Sequence, residues 1–412
     1  MFPTRIATRR EFLNGLGVVG VGTILPNFLV RTALAEQAKP GDRILVVVLM
    51  AGGQDGPSCV VPFTSDDYAK KRKLTFIKPE EVLKLNDEVG FNPKLAGLKE
   101  LFDKKQAAVV NGVGYPNPNY SHFEAMDIWQ AGDLRGKGAG TGWLGRYCDI
   151  AFKGNADPAL SLAIGGGVAP LAITGREHPG LSFNNPESFK YAGHRGDQSR
   201  QALYSKLNDP QPAQQGTNET LQFITRTAIS ANATSEKVRD LAGKYKPNVT
   251  YPTSQLANSL RMVAGLISGG LSTRIYFVSY GGFDTHADQR QQHDNLMNDL
   301  SGSVVAFQND LAAQGNLNRV LTMTFSEFGR RPEENGSRGT DHGSSGPILL
   351  FGPGVKSGVY CKHPSYTEFN KHGNFIHSVD FRSVYAAVLE KWLGTPSQPI
   401  LGDGFPPLDC VA

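Results

Sequence analysis

Four short stretches hold the acids and histidines that could do chemistry: AGGQDG with Asp55, GGFDTH with Asp284 and His286, SEFGRR with Glu327, Arg330 and Arg331, and GTDHG with Asp341 and His342. Each stands beside an apolar run, so all of them are expected at strand ends. Carboxylates and imidazoles gathered on one crest repel or shift toward neutrality unless a cation joins them. The expected ligands are therefore Asp55, Asp284, His286, Glu327, Asp341 and His342, and the expected cofactor is one or two divalent metal ions: zinc, manganese or magnesium. Arginine beside such a cluster suits the holding of an oxyanion, a role assigned to Arg330 or Arg331. A fifth stretch, NPNYSHFEAMDIWQAG at residues 117–132, puts Ser121 and His122 where a helix could begin. There Ser121 suits a nucleophile activated by a metal and His122 an acid for the leaving group.

Each residue also has a plainer use. Asp55 before Gly56 suits a turn, Asp284 could cap a following helix, and Ser121 could be a helix cap with His122 packing locally. His293 lies seven residues after His286, on the same helical face, and His377 precedes the last helical pattern. Either is a further ligand or a satisfied core histidine.

The elements that must position these residues alternate. Apolar, β-rich runs at Ile44–Met50, 107–113, 160–164, 274–279, Val320–Phe325 and 348–351 do not alternate with polar residues, as suits strands buried on both faces. Helical spacing marks 92–104, 219–229, 254–267, 285–313 and 380–393. This predicts an α/β fold, a three-layer α/β/α sandwich with a mostly parallel central sheet and its ligand site at the carboxyl ends of the strands. Segment 185–215, rich in Asn, Gln, Ser and Pro, reads as a surface excursion.

The charge is nearly balanced, 42 Lys+Arg against 38 Asp+Glu in 412 residues, without an extended basic run, which argues against nucleic acid as a partner. Arg9-Arg10 precede a short apolar stretch and the small-residue site Ala33-Leu34-Ala35. That is the pattern of a twin-arginine export signal over residues 1–35, cleaved after Ala35, with an uncleaved anchor as the alternative. The expectation is one domain over 36–412, periplasmic or secreted, meeting the twin-arginine translocase during export and without stable membrane insertion afterwards. Four cysteines show no C-x-x-C spacing, so a zinc–thiolate site is not expected.

Taken in order, GGQDG, NPNYSHFEAMDIW, GGFDTH, SEFGRR, TDHG and DFRSVYAAVLEKWLG over residues 44–401 resemble the secreted bacterial family known as domain of unknown function 1501. That family is grouped with the alkaline phosphatase–sulfatase superfamily. The resemblance implies an alkaline-phosphatase-like sandwich and hydrolysis of a small-molecule or polymer-borne phosphate or sulfate ester. It also implies that Asp55 is the first-strand metal acid, that Asp341-His342 and Asp284/His286 are ligand pairs, and that Ser121 is the nucleophile, with a metal-activated water as the alternative. No C/S-x-P-x-R signature surrounds Ser121, which disfavours a classical sulfatase. A non-catalytic exported binding protein that keeps the fold is the rival reading.

Overall fold

The computed structural model describes residues 43–155, 157–166, 168–184 and 234–412. The expected leader at 1–35, the polar excursion at 185–215 and the helical pattern at 219–229 lie outside the described residues.

Ile44–Met50 forms β1, buried along its whole length. Its side chains alternate between two cores, which explains the unbroken apolar run. Ile44, Val46, Val48 and Met50 face one cluster, and Leu45, Val47 and Leu49 face the other. The short helix α1 (Gly56–Cys59), β2 (Val60–Val61), α2 (Asp66–Lys71), β3 (Leu83–Lys84) and β4 (Gly90–Phe91) follow, and β2, β4 and β3 make a small three-stranded sheet. Then come α3 (Ala96–Asp103), β5 (Ala107–Gly114), α4 (His122–Ala131), α5 (Trp143–Ala151), β6 (Ser161–Ile164) and β7 (Leu181–Phe183). The remainder is α6 (Gln255–Ser268), β8 (Ile275–Tyr280), α7 (Gln289–Ala313), β9 (Val320–Phe325), β10 (Gly346–Phe351), β11 (Gly358–Tyr360), β12 (Val379–Asp380) and α8 (Phe381–Ala387).

The large sheet runs β11-β5-β10-β9-β1-β8-β6-β7, with β12 also on β5. β1 pairs in parallel with β8 and β9, with Val46 opposite both Tyr276 and Thr322. Helices α3, α6 and α7 cover one face through residues such as Leu98, Leu260 and Phe307. Helices α4, α5 and α8 cover the other through Trp129, Trp143 and Tyr385. This is the expected three-layer α/β/α sandwich.

β10 runs antiparallel to both of its neighbours, β5 and β9. Its beginning therefore meets the ends of the parallel strands, so a loop that precedes a strand arrives on the same crest as loops that follow strands. Helix boundaries follow local chemistry. Ser254 accepts a hydrogen bond from Ala257 N at 3.0 Å to start α6, and Asp380 accepts from Arg382 N at 3.0 Å to start α8. Asp284 does not cap the long helix: α7 begins at Gln289, behind Asp288 in the left-handed region.

Candidate metal centre

Four loops meet in one place: those after β1, β5 and β8, and the one that joins the end of β9 to the beginning of β10. Gly52, on the β1 loop, permits this convergence. Its φ is +123°, and a Cβ there would lie 2.3 Å from the backbone nitrogen of Asp284 on the β8 loop. Gly52 N also donates to Glu327 Oε1 of the β9 loop at 2.9 Å.

Asp284 sits at the middle of the cluster. His286 Nε2 lies 3.1 Å and His342 Nε2 3.2 Å from its Oδ1, and His122 Nε2 lies 3.4 Å from its Oδ2. The two nitrogens of His286 and His342 approach to 2.9 Å. His122, Asp284 and His342 offer ligand atoms all within 4.8 Å of one another, the one such group found among the described residues. Phe328 packs beneath, its ring 4.9 Å from that of His122 and 4.5 Å from that of His342.

The opposite edge of each imidazole faces an acceptor. His122 Nδ1 meets Glu327 Oε1 at 2.7 Å, His286 Nδ1 meets Asp341 Oδ1 at 3.1 Å, and His342 Nδ1 meets the Tyr120 carbonyl at 2.8 Å. A carbonyl only accepts, so Nδ1 of His342 carries the proton, and carboxylates favour the same tautomer on the other two. With that tautomer, Nε2 of His122, His286 and His342 turns toward Asp284, and Nε2 of His286 also faces a terminal nitrogen of Arg330 at 3.4 Å. Burial lowers the His342 pKa and so favours its neutral form. Burial tends to raise the pKa of Asp284, yet hydrogen bonding and charge from Arg330, with help from His342 and His122, hold it down to about 2. The cluster is thus electron-rich and only partly covered: the side chain of Asp284 is 49% exposed.

Several expected site residues take other positions. Asp55 is wholly buried and lies outside the cluster. Arg72 donates to its Oδ2 at 2.7 Å and its Oδ1 at 2.9 Å, and Ser58 Oγ and Gln289 Nε2 also donate to it. Burial works against its charge, but Arg72 prevails and holds it at about 2. Glu327 is buried behind the cluster, where it accepts from Gly52 N and from Ser326 Oγ and faces His122. Asp341 faces His286 and Asn335, whose hydrogen bond is the main cause of its lowered pKa. Glu327 and Asp341 thus face the outer edges of His122 and His286, while His122, expected as an acid, turns Nε2 toward Asp284.

Arg330 is buried, and its donors are committed. Nε bonds the Gly53 carbonyl at 2.7 Å, one terminal nitrogen bonds the Thr340 carbonyl at 2.7 Å, and the other bonds the carbonyls of Gly52 and Phe283 and Oδ1 of Asp284. It ties three crest loops together and leaves no donor for an oxyanion. Arg331 is exposed, and its charge helps to hold the Asp341 carboxyl down. Ser121 occupies the residue before α4, but its hydroxyl does not bond to the helix. His293 is buried with both ring nitrogens unpartnered among the described residues, its pKa lowered by that burial, and His377 packs over Gly114 of β5. Neither joins the cluster.

Sequence reasoning missed Arg72, which lies in the run KKRK and resembles surface charge, and it missed the inward turn of His122. Only spatial neighbours single out those two.

No curated protein matches the chain by sequence. Among solved structures it is similar to the PsFucS1 sulfatase from Pseudoalteromonas sp., at 11% identity and TM-score 0.41, covering 93% of this chain and 75% of that one. It is also similar to the C-terminal periplasmic domain of EcEptC from Escherichia coli in complex with Zn, at 11% identity and TM-score 0.37, covering 77% and 74%. A third is the alkaline phosphatase of the Antarctic bacterium TAB5, at 10% identity and TM-score 0.29, covering 77% and 95%. These are likenesses of fold. The expected family is found over residues 42–388, and the chain belongs to the family described as "Protein of unknown function (DUF1501)".

Proposed function

We propose that the protein is a metal-dependent hydrolase of phosphate or sulfate esters, with His122, Asp284, His286 and His342 as the ligands of one divalent ion. One observation carries the metal: three Nε2 lone pairs and a carboxylate converge while every Nδ1 faces an acceptor. Ligand atoms of tetrahedral zinc, each about 2.0–2.1 Å from the ion, stand about 3.3 Å apart. His286 Nε2, His342 Nε2 and Asp284 Oδ1 stand 2.9, 3.1 and 3.2 Å apart, close to that spacing, and His122 Nε2 lies 3.4 Å from the other oxygen, Oδ2. A nitrogen-rich set suits zinc better than magnesium, which takes oxygen. The ester class rests on the motif resemblance, and the open mouth supports catalysis over a closed structural site.

When bound, the ion supplies Lewis acidity toward the ester oxyanion and the attacking hydroxyl. Ser121 presents a hydroxyl that is not spent on capping α4, between Tyr120, which holds His342, and His122. It attacks, or it orients an attacking water. The amino end of α4 favours the negative charge that develops there. Arg331, exposed and close enough to act on Asp341, replaces Arg330 as the group that steadies the non-bridging oxygens. The place of action follows from the twin-arginine pattern: the periplasm or the medium. No helix among the described residues is long and apolar enough to cross a membrane.

Elemental analysis of the purified protein tests the metal. About one equivalent is expected, lost in Asp284→Ala and His342→Ala; absence of metal from the wild-type protein sinks the proposal and leaves the binding-protein reading. With metal present, a panel of phosphate and sulfate esters run against Ser121→Ala tests the nucleophile. Unchanged turnover in that variant assigns the attack to water.

A further inference from the structure

His286 carries the most exposed of the three imidazoles: its side chain is 44% exposed, against 33% for His122 and 22% for His342. A side chain in that position keeps its rotamer freedom unless something holds it. What holds this one is the segment 335–340 of the β9–β10 loop, which lies along 285–289. Ala287 and Arg338 form an isolated antiparallel bridge. Asp288 N donates to the Ser337 carbonyl at 3.1 Å, Gln289 N to the Arg338 carbonyl at 3.0 Å, and Thr340 N to the Thr285 carbonyl at 3.2 Å. Gly339 lets the two backbones meet, since a Cβ there would lie 2.3 Å from the carbonyl carbon of His286.

Asn335 heads this segment with its whole hydrogen-bonding capacity spent. Nδ2 donates to the His286 carbonyl and to Oδ1 of Asp341, each at 3.0 Å. Oδ1 accepts from Ser337 N at 2.9 Å and from Gly339 N at 3.1 Å. The amide fits only this way round, because both partners of Nδ2 are acceptors and both partners of Oδ1 are N–H groups. The Asp341 oxygen that takes the Asn335 amide is the one that faces His286 Nδ1 at 3.1 Å. One amide thus grips the backbone of His286 and, through Asp341, the outer edge of its ring. A carboxylate of the same shape would still close the turn but would oppose two acceptors. We propose that Asn335 is the positioning residue of His286: its two donors, and not the turn it closes, hold the ring with Nε2 toward Asp284. This rests on the reading of His286 as a ligand of the proposed ion.

Zinc affinity by chelator competition and the absorption spectrum with cobalt(II) in place of zinc, both on the full chain, test this. Asn335→Asp keeps the acceptor that closes the turn and loses both donors, whereas Asn335→Ala loses donors and acceptor alike. Asn335→Asp is expected to weaken zinc about 10–100-fold, as the loss of an outer partner does. It should also shift the cobalt spectrum to that of His286→Ala, which keeps three ligands, with circular dichroism unchanged. Asn335→Ala should act in the same direction. If Asn335 serves the turn alone, Asn335→Asp binds as the wild type does and only Asn335→Ala is impaired, which overturns the proposal. Weakened zinc with an unshifted cobalt spectrum overturns it too, because the ring has then stayed in place. Should Asn335→Asp not fold, the spectrum of Asn335→Ala decides between the same two outcomes. Wild-type protein that binds neither ion rejects the metal reading and this inference with it, a result distinct from a wild-type site that is indifferent to Asn335.

Discussion

At the residue scale, the centre depends as much on what holds the imidazoles as on the imidazoles. Glu327 touches His122 and is buried, so Glu327→Gln removes a charge from the back of one ligand while keeping its shape. Outer partners of this kind tune metal affinity about 10–100-fold. Glu327→Gln should weaken zinc binding by that factor, measured by competition with a chelator, and leave the far-UV circular dichroism unchanged. Removing a ring itself, in His342→Ala, should abolish stoichiometric binding. The difference between a graded loss and a complete one separates an orienting acid from a ligand.

Loops and short elements are held by a second device, the buried Asp55–Arg72 pair. Arg72 also bonds the carbonyls of Pro332 at 2.7 Å and Arg331 at 2.6 Å, so it ties the end of α2 to the β9–β10 loop. Asp55→Ala leaves a buried guanidinium without its partner and should cost about 3–5 kcal/mol, measured by denaturant unfolding. Replacing both, Asp55→Leu with Arg72→Met, should recover much of that. The Asp55 carboxyl is held near 2 in the folded chain, below its ordinary value of about 3.9. Its contribution is therefore complete above about pH 4 and is lost as pH falls toward 2. Asp55→Asn should flatten that part of the acid-unfolding profile. Gly52→Ala places a methyl against the Asp284 backbone at a φ of +123° and should cost about 1–3 kcal/mol as well as loosening the metal.

The same elements show what a sequence can and cannot reveal. β1 and β9 occur where their apolar runs predict, because burial on both faces leaves an unmistakable run. The direction of β10 was not legible, since the four apolar residues 348–351 read alike either way, and only pairing with β5 and β9 reverses it. The strands of two residues, β2, β3, β4 and β12, are too short for any period. At the centre, Asp284, His286 and His342 stood out by type and place. Asp55 stood out equally, yet its partner Arg72 was hidden among lysines, and the choice between a metal acid and an ion pair turns on that partner.

Across the whole molecule, a ligand that binds only the folded state stabilises it by mass action. At free zinc a thousandfold above Kd, the folded state should gain about 4 kcal/mol. Chelation should therefore lower the melting temperature by several degrees and shift the denaturant midpoint without changing its slope. A melting curve indifferent to both zinc and chelator would contradict a resident ion.

The crest that gathers four loops also sets an order of events in time. His342 is held by a carbonyl 222 residues earlier in the chain and meets His286 across 56 residues. Closing such spans is slow, because chain entropy is lost before any contact repays it. The donors come together only when the long-range parallel pairings of β1 are already in place, so the ion has nothing complete to bind in a folding intermediate. Zinc should then leave the refolding rate unchanged and slow unfolding alone, the signature of an interaction that forms after the transition state. If the proposed ion binds, occupancy should then serve as a readout of completed folding.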